Sequence, residues 1–183
     1  MLPPETKRIL VYGVCGSGKT TFARDLSLAT GIPWYSVDDI AWLPDWTPMP
    51  DDEQTERFSE ICGQETWIMD TAYGKWLDVV LCRADVIIAL DYPRWFSLAR
   101  LLRRTIRRAI TKEPCCNGNV ESLIKAFSND SIIGWHFKSF SRKRARIRTW
   151  QANPPVKQVI VFHRASEAAT FLESFELAEL GRD

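Results

Sequence analysis

A chain of 183 residues, 45% hydrophobic and 26% charged, has the size and composition of one globular domain that buries its own core without disulfides or metal. A formal net charge of +1 argues against a protein whose whole surface coats nucleic acid, and no apolar run reaches the ~20 residues that cross a bilayer as a helix. Five cysteines, an odd number without a disulfide-like spacing, fit a reducing compartment, and Met1-Leu2-Pro3-Pro4-Glu5 lacks the layout of a secretory signal, so the expected location is cytoplasmic.

Short apolar runs alternate with longer helical ones, the pattern of parallel βαβ units in an α/β protein, and no internal repeat interrupts it. Residues 8–13 predict a buried strand, followed by a glycine-rich loop and a helix over 19–30 that stops at Gly31 with Pro33 just beyond. Residues 34–37 predict a second strand ending at Asp38-Asp39. The Trp- and Pro-rich residues 42–50 read as irregular and 51–64 as an acidic helix. A third strand over 66–70 precedes a short helix over 75–82 and the most apolar strand, 84–91. A basic helix over 93–111 runs into the breakers of 114–119. A second basic helix over 132–151, a fifth strand over 157–162 and an amphipathic helix over 166–180 complete the chain.

The loop Gly13-Val14-Cys15-Gly16-Ser17-Gly18-Lys19-Thr20 fits G-x-x-x-x-G-K-[ST] at every position, in the strand–loop–helix frame that motif needs. Its glycines let backbone N–H groups converge on one anion, and the helix that follows adds its positive dipole end. Lys19 is expected on the β- and γ-phosphates of a purine nucleoside triphosphate, Thr20 on Mg²⁺ through its hydroxyl, and Thr21 on the α-phosphate.

Acids fall where open α/β sheets bind ligands, at the carboxyl ends of the strands. Asp70 closes an apolar strand as a water-mediated Mg²⁺ ligand does. Asp38 and Asp39 are placed to orient an acceptor hydroxyl or help hold the metal, although Asp39 also suits a helix N-cap. Asp91, before Tyr92-Pro93, reads as an N-cap rather than a catalytic group. Arg100, Arg103, Arg104, Arg107 and Arg108 recur at helical spacing and make one basic face, with no acid between Asp91 and Glu113. Such a face is ordinarily solvated, but phosphoryl transfer needs arginines around the moving group, and Arg104 and Arg108 are the candidates. The run Arg142, Lys143, Arg144, Arg146, Arg148 suits phosphate or solvent equally. Trp42 and Trp46 either stack on a flat substrate or plug the core under a loop. Cys115-Cys116 has no second pair to complete a zinc site.

The phosphate loop, the Asp38-Asp39 strand end, the run from Trp67 through Asp70 to Lys75, and Leu90-Asp91-Tyr92-Pro93-Arg94-Trp95 together resemble the adenylate-kinase-related P-loop proteins often labelled DNA topology modulation proteins, over roughly residues 8–175. The resemblance implies a three-layer, nucleoside-monophosphate-kinase-like α/β fold with a five-stranded parallel sheet in the order 2-3-1-4-5. It also implies a single domain with a small lid around residues 108–131. It puts Lys19 and Thr20 on phosphate and Mg²⁺, Asp70 on a metal-bound water, an arginine near 104 over the adenine or γ-phosphate, and the loop of His163, Arg164 and Ala165 at the adenine edge. Adenylate kinases follow the third-strand Asp with Gly-Phe-Pro-Arg. Here Thr71-Ala72-Tyr73 stands instead, with Lys75 as the substitute cation.

Two functions follow. In the first, ATP and Mg²⁺ serve a small-molecule kinase whose acceptor (a nucleotide, nucleoside or hydroxylated metabolite) lies among Asp38, Asp39, Trp42, Tyr73 and Lys75. In the second, the basic helices hold nucleic acid and ATP switches the affinity, with steep salt dependence. The near-neutral total charge favours the first.

Overall fold

The structure, a computed structural model, describes residues 2–71, 74–121 and 131–180. Its elements in chain order are β1 (Arg8–Gly13), α1 (Lys19–Thr30), β2 (Trp34–Tyr35), α2 (Val37–Ala41), β3 (Trp42–Leu43), β4 (Thr47–Pro48), α3 (Asp51–Gly63), β5 (Trp67–Asp70), α4 (Leu77–Leu81), β6 (Val86–Leu90), α5 (Arg94–Thr111), β7 (Pro114–Cys115), β8 (Asn119–Val120), α6 (Ile132–Ala152), β9 (Gln158–Phe162) and α7 (Ala165–Leu180).

Five strands pair in the order β2-β5-β1-β6-β9, all parallel. Counted along the chain within this sheet, that is the 2-3-1-4-5 arrangement expected. The strands are apolar without a break because helices cover both faces. Alternation then sorts the side chains by face. Leu10, Tyr12, Met69, Ile87 and Ala89 join Phe58, Leu77, Val80, Ile147 and Trp150 from α3, α4 and α6. Ile9, Val11, Ile68, Val86, Ile88 and Leu90 join Phe22, Ala23, Leu26 and Ala168 from α1 and α7. Burying each Leu, Ile or Phe contributes about 1.5–3 kcal/mol.

Three expectations are corrected. The second strand ends at Tyr35, because Ser36 caps a short helix by accepting a hydrogen bond from the Asp39 N–H at 3.4 Å, so Asp38 and Asp39 occupy a helix's first turn. Ser36 therefore holds the cap that was the alternative role for Asp39. Residues 42–50 are not irregular. Trp42 and Leu43 pair antiparallel with Pro48 and Thr47 across a turn whose Asp45 and Trp46 have φ of 60° and 56°. Asp91 caps nothing. Pro93 holds the N-cap of α5, and Asp91 instead faces Arg144 at 3.3 Å and His163 at 3.6 Å. The breakers of 114–119 make a second hairpin, β7 with β8.

Candidate nucleotide and acceptor site

The phosphate loop joins β1 to α1 at the carboxyl end of the sheet. Gly16 and Gly18 have φ of 79° and 91°, a region L side chains rarely adopt. The loop is also pressed against α5, since a Cβ on Gly16 would lie 2.2 Å from the Ser97 carbonyl oxygen and 2.9 Å from Leu101 Cβ. Ser17 is buried and its hydroxyl donates to the Val14 carbonyl at 2.9 Å, so it shapes the loop from within. The Lys19 ammonium donates to the same carbonyl at 2.9 Å. Val14 is buried and Cys15 half-buried, while Thr20 and Thr21 open α1 on its exposed side.

Beside this loop the structure brings Thr20 and Asp70 together. The Thr20 hydroxyl hydrogen-bonds the Asp70 carboxylate, which also accepts the Val37 N–H at 3.0 Å. Asp70 is 4% exposed, and burial pushes its pKa up to about 6 against the pull of those two hydrogen bonds. The Lys19 charge nearby lowers it too, but does not offset the burial. One carboxylate and one hydroxyl, both hard oxygen donors, suit Mg²⁺, which binds through few protein ligands and completes its shell with water and phosphate. Among the described residues no group of three or more His, Cys, Asp or Glu side chains is gathered for a metal, so neither an all-protein cage nor a zinc site at Cys115-Cys116 is formed there.

Cations converge on the loop from two helices. From α5, the Arg100 guanidinium lies against Gly18, where a Cβ would come within 2.9 Å of its nitrogen. Of the two arginines singled out from the sequence, Arg104 keeps its Nε buried without a hydrogen bond among the described residues, and Arg108 pairs with Glu121 at 3.3 Å. From α6, Lys143 donates to the Gly13 carbonyl at 3.1 Å. Burial, then the neighbouring Lys19 charge, pull its pKa down to about 8. His136 is fully buried with Nδ1 3.0 Å from the Cys15 carbonyl, which makes Nδ1 the protonated nitrogen. Burial holds its pKa below the usual value. Arg146 reaches the Tyr12 hydroxyl at 3.3 Å, while Arg142 and Arg148 are exposed. The second basic run is thus divided, with Lys143 turned to the loop. Sequence reasoning missed its signal: Lys143 lies seven residues after His136, four before Ile147 and seven before Trp150, all on one buried helical face.

A cavity of about 280 Å³ opens at the same sheet end between the start of α5 and the β9–α7 turn, lined by Tyr92, Pro93, Trp95, Phe96, His163, Arg164 and Ala165. The Arg164 N–H donates to Glu167 at 3.2 Å, and Arg100 lies 5.6 Å above the Phe96 ring.

On the opposite side, the β7–β8 hairpin is stitched to the segment from Asp39 to Trp46. Asn117 Nδ2 donates to the carbonyls of Asp39 and Trp42 at 2.6 and 2.7 Å. Asn119 Nδ2 donates to Leu43 O at 2.9 Å while its Oδ1 accepts the Trp46 N–H at 2.6 Å. Trp46 Nε1 donates to Val120 O at 3.2 Å. The Trp42 and Trp46 rings meet edge to face, 5.9 Å apart. Asp38 and Asp39 are exposed in the turn beneath. Lys75 stands apart, ion-paired with Asp51 and 5.0 Å over the Trp76 ring. Tyr73, and residues 122–130 of the expected lid, lie outside the described residues.

No family model matches the sequence, and no curated protein does. Solved structures do resemble it in fold. A gluconokinase from Sinorhizobium meliloti 1021 is 17% identical, with a TM-score of 0.54 over 98% of this chain and 94% of that one. A shikimate kinase from Bacteroides thetaiotaomicron is 12% identical, with a TM-score of 0.56 over 95% and 99%. A shikimate kinase from Acinetobacter baumannii in complex with shikimate is 15% identical, with a TM-score of 0.53 over 97% and 95%. The fold is that of the P-loop kinases of the nucleoside-monophosphate-kinase-like class.

Proposed function

We propose that the protein is a phosphotransferase that moves the γ-phosphoryl group of Mg-ATP to a hydroxyl of a small acceptor. The observation that carries this reading is the meeting, at one loop, of Thr20 with the buried Asp70 and of Lys19 with Lys143. One pair suits a hard cation and the other a polyphosphate.

Backbone amides of the loop and the N-terminus of α1 bind phosphate, with Lys19, Lys143 and Arg100 supplying charge that is already in place. Thr20 and Asp70 would hold Mg²⁺, which would supply charge neutralisation to the polyphosphate. The cavity under Trp95 and Arg164 has the size and aromatic lining for a purine, with Arg164 at its edge. Asp39, in the first turn of α2 with its carbonyl held by Asn117, orients the acceptor hydroxyl and takes its proton, with Asp38 beside it. Trp42 and the β7–β8 hairpin exclude water from that space, and Arg104 and Arg108 stand on the lid side of it. Tyr73 and Lys75 complete the acceptor-side set proposed from the sequence. Because the structures of similar fold include a gluconokinase and shikimate kinases, hydroxy acids head the acceptors to try. The resemblance to the DNA topology modulation group supports the nucleotide site and leaves the acceptor open.

The test is ADP release from Mg-ATP over a panel of hydroxy acids, nucleosides, nucleoside monophosphates and DNA. One small acceptor that accelerates release, and carries the phosphate afterwards, supports the reading; acceleration by none defeats it. A second reading, nucleotide-dependent nucleic-acid binding, is favoured by a groove of about 270 Å³ between α5 and α6 lined by Arg94, Arg144 and Arg148. It requires DNA in the panel to bind with steep salt dependence.

A further inference from the structure

Five cysteines are free: Cys62 is buried, Cys82 exposed, and Cys15, Cys115 and Cys116 half-buried. Cys115 and Cys116 differ from the rest in being adjacent, hydrogen-bonded to each other through their sulfurs, and placed in the hairpin that closes on the acceptor segment. Cys115 faces Arg104 and Arg108, with Glu121 near, whereas Cys116 faces Asp38 and Asp39. The Cys116 carbonyl accepts the Asn119 amide at 2.5 Å, the same amide that donates to Leu43. Cys116, Asn117 and Gly118 follow one another with φ of 45°, 60° and 83°, a tight turn with no slack.

We propose that Cys115 and Cys116 are a modification site, a dithiol that exchanges with a low-molecular-weight disulfide to form a vicinal disulfide and thereby releases the β7–β8 hairpin from the segment between Asp39 and Trp46. The chemistry stands whether or not the acceptor reading does.

Cys115 is the attacking group. The Cys116 S–H donated to its sulfur and the two arginines hold its pKa down to about 7, the range in which a thiol is both ionised and nucleophilic at neutral pH. Its thiolate attacks one sulfur of the small disulfide RSSR. A Cys115–SR bond forms as the RS–SR bond breaks, and RS⁻ leaves with the electron pair. Cys116 then gives its proton to the departing thiolate and attacks the Cys115 sulfur, expelling the second RS⁻. Two protein thiols are oxidised and one small disulfide is reduced to two thiols.

Consecutive Cα atoms stand about 3.8 Å apart, inside the ~4.4 Å at which ordinary disulfides begin, so the ring is strained and readily reduced again. Its closure turns the Cys115–Cys116 peptide and displaces the Cys116 carbonyl and Asn117. Those two groups hold the latch: one fixes Asn119, and the other grips Asp39 and Trp42.

The test treats the full chain with oxidised glutathione, blocks remaining thiols with iodoacetamide and locates them by peptide mass. Native protein is expected to lose two hydrogen atoms in the peptide holding residues 115 and 116, reversibly with dithiothreitol, while Cys62 stays reduced. Cys116→Ser is expected to stop at a stable glutathione adduct on Cys115, which identifies Cys115 as the attacking thiol and Cys116 as the resolving one. Hydrogen exchange of the Trp46 amide is expected to rise roughly two- to tenfold on oxidation, the worth of one hydrogen bond. Cys115 and Cys116 still alkylated while Cys82 carries glutathione, or an adduct in Cys116→Ser on a residue other than Cys115, would overturn the site. A vicinal disulfide with unchanged exchange at Trp46 would overturn the release.

Discussion

Two deeply buried aspartates at opposite ends of the parallel sheet, Asp85 and Asp70, are treated in opposite ways. At the amino end, Asp85 is 6% exposed and fully engaged. It accepts the Lys7 and Arg8 N–H groups at 3.2 and 3.0 Å and faces Arg8 Nε at 3.4 Å and Lys157 at 3.7 Å. Although burial opposes it, those hydrogen bonds and the Arg8 charge hold its pKa below the usual carboxylate range. At the carboxyl end, burial of Asp70 and the Asp38 charge outweigh the Thr20 hydroxyl, the Val37 amide and the Lys19 charge, and its pKa rises to about 6. Nearby, Lys143 is pulled down to about 8 next to Lys19. One end is balanced and serves stability. The other holds a carboxylate whose burial outweighs the pull of Lys19, and two lysines that raise each other's cost, and that imbalance is what a Mg-polyphosphate would relieve.

Substitutions can break this contrast. The largest effect is expected from Lys19→Ala, which should lower kcat/KM about a hundredfold or more while leaving the unfolding free energy of the ligand-free protein within about 0.5 kcal/mol, because the hydrogen bond its ammonium donates there is to a loop carbonyl. Asp85→Ala should do the reverse, costing about 1–3 kcal/mol in urea by orphaning two part-buried N–H groups and leaving ATP affinity unchanged in calorimetry.

The pH dependence of stability sharpens the same comparison. Native Asp70 holds its proton up to about pH 6 whereas the unfolded carboxyl ionises near 3.8, so between those values the native state binds more protons and stability falls as pH rises. Asp70→Asn should remove about 2–3 kcal/mol of that fall, read by urea titration in EDTA. Lys143 runs the other way, since the native amine loses its proton near 8 and the unfolded one near 10.5. Stability should therefore climb between those pH values, and Lys143→Met should flatten the climb. Its kcat/KM loss should be roughly tenfold, smaller than that of Lys19→Ala.

Strands were legible because both faces of the sheet are covered: uninterrupted apolar runs such as residues 86–90 have no other reading at that length. The phosphate loop was legible because its chemistry is local, one turn holding every group. The acceptor side was not. Ser36 displaced Asp39 as a cap over a distance of three residues, and the hairpin of Asn117 and Asn119 acts on carbonyls more than seventy residues away. Sequence spacing carries no record of such a contact. Asp91 failed for the same reason, its partners Arg144 and His163 arriving from α6 and the end of β9. Lys143 lies between these cases, since its helical face was readable but the object of that face was not.

The measurement that bears most directly on the imbalance at the carboxyl end is calorimetric titration of ATP at pH 8, with and without Mg²⁺, in two buffers of different ionisation enthalpy. The account predicts that Mg²⁺ tightens binding, that ATP binds far more tightly than AMP, and that each ATP bound brings proton uptake, which vanishes in Lys143→Met, as the phosphates restore that lysine's charge. ATP binding no tighter than AMP, indifferent to Mg²⁺ and free of proton uptake would contradict it.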